Sequence, residues 1–222
     1  MPDLITLLRS VPLFDSLGQS TLADLARAGR VRQVPKGKTL FGEADPANSF
    51  YAVCSGRIDI LLSSPDGREL VINEMRAGDC FGELALITGQ PRSTSAVARV
   101  VSEVIVIPRE EFLAALEAEP KLMRRLLETT ARRLRSSSER ESALAFMDAP
   151  ARLARVLLEL DRRASADGFI TIAQEELAQR VGLARQTAAK KLGEWRRAGW
   201  IVTGRGRIVV LDRAALRRVA EE

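Results

Sequence analysis

Phe50-Tyr51-Ala52-Val53-Cys54-Ser55-Gly56-Arg57-Ile58-Asp59-Ile60-Leu61-Leu62 holds two short runs rich in β-branched and aromatic residues, separated at Ser55-Gly56. The second run leads through Ser63-Ser64-Pro65-Asp66-Gly67-Arg68 into Glu69-Leu70-Val71-Ile72. Asp-Gly between two such runs is a strong hairpin signal, because a tight primed turn needs residues that tolerate positive φ. The rhythm continues outward. Val31 to Val34 precedes the turn Pro35-Lys36-Gly37-Lys38, and Val97 to Val101 and Val104 to Ile107 complete the series. Many short strands at even spacing, punctuated by Gly, Pro and Asp, predict a small antiparallel barrel or jelly roll.

The flanks change period. Residues 4 to 9 and 20 to 30 read as short helices, with Ser20 placed to cap the second. Beyond Pro108 the pattern is helical to about Phe146, with a break at Glu119-Pro120, since proline cannot continue a helix but can begin one. Met123, Leu127, Thr130, Leu134, Ser137, Glu141 and Leu144 recur at spacings of four and three, an imperfect coiled-coil seam. Its polar members leave two readings: a modest dimer helix, or a helix that packs only on its own barrel. Asp148-Ala149-Pro150 marks a hinge.

Past the hinge, residues 151 to 163 form an amphipathic helix, Ala166-Asp167-Gly168 a turn and Phe169 to Ile172 a strand. Gln174 to Val181 and Arg185 to Ala198 are helices joined at Gly182-Leu183-Ala184, and Trp200 to Leu211 is a hairpin turning at Gly204-Arg205-Gly206. Helix, tight turn, helix and basic hairpin is the layout of a winged helix-turn-helix. Trp195 and Trp200 read as core, since their neighbours are amphipathic.

Composition narrows the function. The 222 residues include no histidine and two cysteines, Cys54 and Cys80. The commonest general base and metal ligand is therefore missing, and the two thiols read as structural. Residues 150 to 222 carry fifteen Arg and Lys against nine Asp and Glu, whereas the remainder carries nineteen against twenty. A basic C-terminal part points to a polyanionic partner, with biased composition as the bland alternative. No stretch has the apolar length of a membrane span or the layout of a signal peptide, so a cytoplasmic protein without membrane contact is expected.

The segment that carries chemistry is Gly78-Asp79-Cys80-Phe81-Gly82-Glu83-Leu84-Ala85-Leu86, followed by Pro91-Arg92-Ser93-Thr94-Ser95. Close-approach glycines, a carboxylate, a guanidinium and a hydroxyl suit a small ligand with sugar hydroxyls and a phosphate. The competing reading is a surface ion pair between Glu83 and Arg92 across a loop.

Taken together, the cassette Gly82-Glu83-Leu84-Ala85 with Arg92-Ser93, the stretch Arg132-Arg133-Leu134-Arg135-Ser136-Ser137-Ser138-Glu139 running on to Asp148, and the helix from Arg185 resemble the Crp–Fnr superfamily of bacterial transcription regulators. The resemblance spans nearly the whole chain and is closest to the cyclic-nucleotide-binding branch. It implies an α+β protein: an N-terminal antiparallel jelly-roll (double-stranded β-helix) domain over residues 1–110, a dimerisation helix and hinge over 111–147, and a winged helix-turn-helix over 148–222. It also implies a non-enzymatic homodimer that binds a pseudo-palindromic operator in double-stranded DNA, with RNA polymerase as a further partner.

On this resemblance the nucleotide contacts are Gly82, Glu83, Leu84, Arg92, Ser93 and Thr94. Arg92 and Ser93 would take the cyclic phosphate and Glu83 the ribose 2′-hydroxyl. Gly78 would allow tight backbone nearby. Ser137 of one subunit and Ser138 of the other would meet the base. Cyclic AMP is the expected effector. The family usually has threonine where Ser137 stands, and Thr94 is compatible with guanine, so cyclic GMP is an alternative; a ligand-independent regulator with a vestigial cassette is another. The iron–sulfur branch needs a cysteine cluster and the haem branch uses histidine, so neither group nor a metal is expected.

The DNA contacts implied are Arg185, Gln186, Thr187, Lys190 and Lys191 on the recognition helix, with Arg205 and Arg207 on the wing. Arg185 is suited to guanine and Gln186 to adenine. Thr187 and Lys191 are suited to phosphates. A merely solvated basic hairpin is the bland reading of the wing. Ala173 and Ala184 stand where relatives carry Thr or Ser, so both helices lack a side-chain cap.

Overall fold

The computed structural model describes residues 3–164 and 168–221, and the chain folds as two units, residues 1–63 with 72–135 and residues 64–71 with 136–222. The turn expected at Ala166-Asp167 lies outside the described residues. In chain order the first elements are α1 (Leu4–Arg9), α2 (Gln19–Ala28), β1 (Arg30–Val34), β2 (Thr39–Phe41), β3 (Ser49–Ser55), β4 (Arg57–Ser63), β5 (Glu69–Arg76), β6 (Cys80–Phe81), α3 (Glu83–Thr88), β7 (Ser95–Ala98) and β8 (Ser102–Pro108). There follow α4 (Arg109–Ala118), α5 (Pro120–Phe146), α6 (Ala149–Arg162), β9 (Ile170–Thr171), α7 (Gln174–Val181), α8 (Arg185–Arg197), β10 (Ile201–Gly204), β11 (Arg207–Val210) and α9 (Arg213–Glu221). Among the described residues no helix is long and apolar enough to cross a membrane.

Two four-stranded antiparallel sheets, ordered β1-β8-β3-β6 and β2-β7-β4-β5, make the jelly roll. Side chains alternate across a strand, so β3 and β8 serve two cores at once. Tyr51, Val53, Val104 and Val106 face a barrel core with Phe41, Ile58, Ile60, Met75 and Phe81. Phe50, Ala52, Ile105 and Ile107 face the other way, against Leu8, Leu22, Phe112, Leu122 and Leu126 of the helices. Phe50 stacks on Phe112 with ring centroids 3.8 Å apart. Burying a side chain of this size contributes about 1.5–3 kcal/mol, and two opposite faces gain it on the same strands. Continuous apolar runs such as Val104 to Ile107 are the sequence mark of that double burial.

In the second unit, α6, α7, α8 and the β10-β11-β9 sheet close over Leu153, Leu157, Ile170, Leu177, Leu192, Trp195, Ile208 and Val210. Trp195 is buried, and Trp200 packs beside it with ring centroids 6.4 Å apart, as core residues. Asp148 caps α6 by accepting the Ala151 amide at 2.8 Å, and Pro150 sits in its first turn. The Asp66-Gly67 hairpin forms, with Gly67 at φ +80° and its amide on the Ser64 carbonyl.

Two expectations need correction, and three further elements appear. Ser20 is not a cap: α2 starts after Gly18, and Glu119 from the α4–α5 turn accepts from the Gly18 amide at 3.3 Å and from the Thr21 hydroxyl at 2.9 Å. That acceptor is remote in sequence, so no local pattern reveals it. The strand placed at Val97 to Val101 is instead Ser95–Ala98; pairing with β4 ends at Ala98 opposite Ile58, and the Arg99 amide turns to the Arg57 carbonyl, leaving Val100 and Val101 exposed. β2 and β6 are further strands, only three and two residues long. Finally, α9 closes the chain beyond the wing, burying Ala215 and Leu216.

Candidate functional site

The cassette is built where β6 stops. Gly82 sits at φ +90°, a left-handed conformation that turns the chain out of the sheet and into α3. A Cβ there would lie 2.9 Å from Arg92 Nη1 and 3.3 Å from the Tyr51 ring, so glycine is required for space as well as for conformation. Glu83 follows as the first residue of α3 and is only 3% exposed.

Arg92 reaches beneath this turn from the loop before β7 and is 4% exposed. Its Nη1 donates to the Gly82 carbonyl at 2.7 Å and its Nη2 to the Ser49 carbonyl. The guanidinium carbon lies 4.2 Å from the centroid of the Phe41 ring. Its buried Nε meets no hydrogen-bond partner among the described residues. Burial pushes the guanidinium below its ordinary pKa, opposed by Tyr51, Glu83 and Asp45. Guanidinium ionises so far above neutrality that the charge remains. A cation held by two neutral carbonyls, with donors to spare, has the chemistry of an anion receptor.

Glu83 does not hydrogen-bond Arg92, which removes the surface ion-pair reading. Its partner is Arg133 of α5, whose Nη1 lies 3.1 Å from Glu83 Oε1. Arg133 Nη2 also donates to the Cys80 carbonyl and lies 3.7 Å from Met75 Sδ. Sequence reading passes over Arg133 because it sits fifty residues from Glu83 in an arginine-rich helix; the only signal is one basic residue on the barrel-facing side of α5. Ser93 is exposed, Thr94 half-buried, and the Leu84 side chain points to solvent. Gly78 belongs elsewhere: its amide bonds the Val53 carbonyl, and a Cβ there would meet Pro12 at 3.3 Å, so it is a turn glycine. Cys80 is buried and Cys54 half-buried; both are free thiols, and burial raises the pKa of each.

Ser137 and Ser138 belong to the second unit, four and five residues beyond Arg133 on α5; Ser137 is half-buried and Ser138 exposed. The apolar residues of α5 divide, and those of the expected seam face solvent. Leu122 and Leu126 are buried against the barrel helices, whereas Met123, Leu127 and Leu134 stand 51%, 67% and 68% exposed.

In the helix-turn-helix, Gly182 ends α7 at φ +67°, and α8 begins after Ala184. Neither Ala173 nor Ala184 caps its helix with a side chain. Ala188, Leu192 and Trp195 bury one face of α8, which leaves Arg185, Gln186, Thr187 and Lys190 exposed on the other. Arg185 approaches Glu175 only to 4.0 Å. Lys191 is half-buried and held by Glu194 at 2.6 Å. On the wing, Arg205 is exposed in the two-residue turn, and the Arg207 guanidinium lies over the Phe169 ring at 5.3 Å.

Comparison with known proteins follows the same division. The family model for the cyclic nucleotide-binding domain matches residues 31–119, and that for the Crp-like helix-turn-helix domain matches residues 151–219. The CRP-like cAMP-activated global transcriptional regulator of Mycobacterium tuberculosis is 31% identical over 94% of this chain and 96% of its own length. The cyclic AMP receptor protein of Thermus thermophilus is 31% identical over 96% of this chain and 98% of its own. Among solved structures, the c-di-GMP responsive global regulator CLP of Xanthomonas campestris shares the fold, with a TM-score of 0.80 over 87% of this chain and 99% of that one at 24% identity. With a cyclic-nucleotide-binding jelly roll, long helices and a helix-turn-helix in this order, the chain belongs to the Crp–Fnr family of DNA-binding transcription regulators.

Proposed function

We propose that the chain is a homodimeric transcription regulator gated by cyclic AMP, organised as a nucleotide domain (1–110), a dimerisation helix and hinge (111–147) and a DNA-binding domain (148–222). The observation that carries this reading is the cassette's pair of buried opposite charges: Glu83 on Arg133, and Arg92 with an unsatisfied Nε. A cyclic phosphodiester brings one negative charge and one free ribose hydroxyl. The phosphate takes the spare donors of Arg92 and the Ser93 hydroxyl, while the 2′-hydroxyl donates to Glu83. Gly82 and Leu84 line this contact with backbone, and Thr94 borders it.

Because Glu83 is shared with Arg133, a ligand at the cassette acts directly on α5. Ser137 and Ser138 lie about one turn further along that helix, and we assign them to the base, one from each subunit. Ligand and dimer geometry are then thermodynamically linked. The exposed Met123, Leu127 and Leu134 support a second copy across α5, since apolar groups at spacings of four and seven form a helix-packing seam. The half-buried Thr94 hydroxyl beside the cassette is the specific reason to keep cyclic GMP as a second reading.

On DNA, Arg185, Gln186 and Lys190 read base edges, and Thr187, Lys191, Arg205 and Arg207 contact phosphates. A two-fold dimer requires a pseudo-palindromic operator. An activator of this design also touches RNA polymerase. The deciding experiment titrates the full-length protein with cyclic AMP and cyclic GMP in parallel by calorimetry, then measures DNA binding by anisotropy with each nucleotide. Tighter cyclic AMP binding coupled to tighter DNA binding is expected. DNA affinity unchanged by saturating nucleotide overturns the gated reading, and stronger coupling to cyclic GMP transfers it to the other effector.

A further inference from the structure

The second unit carries a groove that neither the nucleotide nor the DNA contacts use. It lies between α6 and α9 and has a volume of about 530 Å³. From α6 come Arg155, Leu158 and Arg162, at spacings of three and four; from α9 come Arg213, Arg217 and Ala220. Each set lies on one face of its helix. The floor is apolar, from Leu158 and Ala220, and the walls are guanidinium.

Charge decides what fits. Arg213 is spent on Asp161, with hydrogen bonds of 2.7 and 3.0 Å. Among the described residues Arg162 and Arg217 pair with no carboxylate, and Arg155 donates to the Met147 sulfur at 3.8 Å. Three exposed guanidiniums thus converge on a groove whose one remaining carboxylate is Glu221. Like charges held together across two packed helices repel, so a complementary anion gains more here than at a scattered arginine. Leu158 and Ala220 add an apolar seat between the charges.

DNA is a poor match for this face. The groove is lined by residues of α6 and α9 alone, and none of the residues assigned to DNA on α8 or the wing borders it. The half-buried Leu158 and Ala220 give a phosphate backbone nothing, whereas an acidic segment with an apolar side chain uses them. We propose that the α6–α9 groove docks an acidic, amphipathic segment of a partner protein, with its carboxylates on Arg155, Arg162 and Arg217 and an apolar side chain on Leu158 and Ala220. The site is independent of the nucleotide reading and of the DNA contacts.

The test uses the full-length protein and a fluorescein-labelled fourteen-residue peptide built from alternating pairs of glutamate and leucine. Comparison peptides replace leucine by serine, or glutamate by lysine. The variants are Arg162→Glu/Arg217→Glu in the groove and Arg185→Ala/Lys190→Ala on α8. Anisotropy is expected to show at least a tenfold loss of acidic-peptide affinity in the groove variant and less than a twofold change in the α8 variant. The serine peptide is expected to bind at least threefold more weakly than the leucine peptide, and the lysine peptide not at all. DNA affinity of the groove variant should stay within twofold of the parent. If charge reversal unfolds the unit, as thermal melting would report, Arg162→Gln/Arg217→Gln replaces it, with at least a threefold loss expected. Unchanged peptide affinity in a folded groove variant overturns the proposal. So does loss of the peptide in the α8 variant, which makes the peptide a DNA mimic. An equal loss of DNA binding in the groove variant reassigns the face to the DNA backbone.

Discussion

The cassette and the recognition helix are the two sites proposed to depend on arginine, and they are built in opposite ways. The cassette draws on Ser49, Gly82, Glu83, Arg92 and Arg133, from four separate parts of the chain, and buries Glu83 and Arg92 with Arg133 half-buried beside them. The recognition helix presents Arg185, Gln186, Thr187 and Lys190 from six consecutive positions, all exposed and with only a 4.0 Å approach to Glu175. A buried charge must be satisfied by the protein before any ligand arrives, so the cassette couples ligand, fold and helix together. An exposed charge is satisfied by water, so the recognition helix can be altered with little effect on anything but DNA. The two sites should therefore fail differently when mutated.

The sharpest break is expected at Arg133. Arg133→Met strands the Glu83 carboxylate, and removing one partner of a buried pair costs about 3–5 kcal/mol. Thermal melting should show a large drop, and adding Glu83→Gln to the same chain should recover most of it, because the stranded charge is gone. Next comes Arg92→Ala, which removes the cation assigned to the phosphate. Losing one member of a buried hydrogen-bonded charge pair costs about 2–5 kcal/mol, so calorimetry should find nucleotide affinity reduced thirtyfold or more while circular dichroism is retained.

On the other side of the comparison, Arg185→Ala should weaken specific DNA binding by about 1–3 kcal/mol. Nucleotide affinity and melting temperature should not move; equal loss on specific and random duplexes contradicts a base-reading role. Arg205→Ala should weaken all duplexes alike and lower the log–log salt slope by about one. The smallest effect is a gain. Ala184→Ser supplies the missing cap of α8 and should stabilise the second unit by about 1 kcal/mol, seen as a raised urea midpoint. A gain in DNA affinity from that change alone would show that the cap position also touches the operator.

Legibility followed the same line. The α8 residues could be placed from sequence because a helix sets its own exposed face once Ala188, Leu192 and Trp195 mark the buried one. Glu83 and Arg92 could be nominated from residue types and resemblance, but the partner of each could not. Nothing local links Glu83 to Arg133, or Arg92 to the Ser49 carbonyl, because both contacts close only when β3, β6 and α5 are packed. Gly78 defeats a local reading for the same reason. Its positive φ is a local property, but what a side chain there would strike is Pro12, from the start of the chain. Ser20 fails as a cap because α2 starts earlier, after Gly18, and the carboxylate that binds this helix start is Glu119, from about a hundred residues away.

The chain's sequence by itself determined the order of modules, the strand rhythm of the jelly roll, the helix break at Pro120 and the uncapped helices after Ala173 and Ala184. These are consequences of local preference and of hydrophobic period, which act over a few residues. Only the tertiary structure decided that Glu83 is held by Arg133, that Arg92 keeps donors to spare, that α5 divides its apolar stripe between the barrel and solvent, and that α9 lies along α6 to form a basic groove. Each of these depends on burial of charge or apolar surface between segments remote in sequence, and such pairing is settled by packing rather than by any residue's own preference.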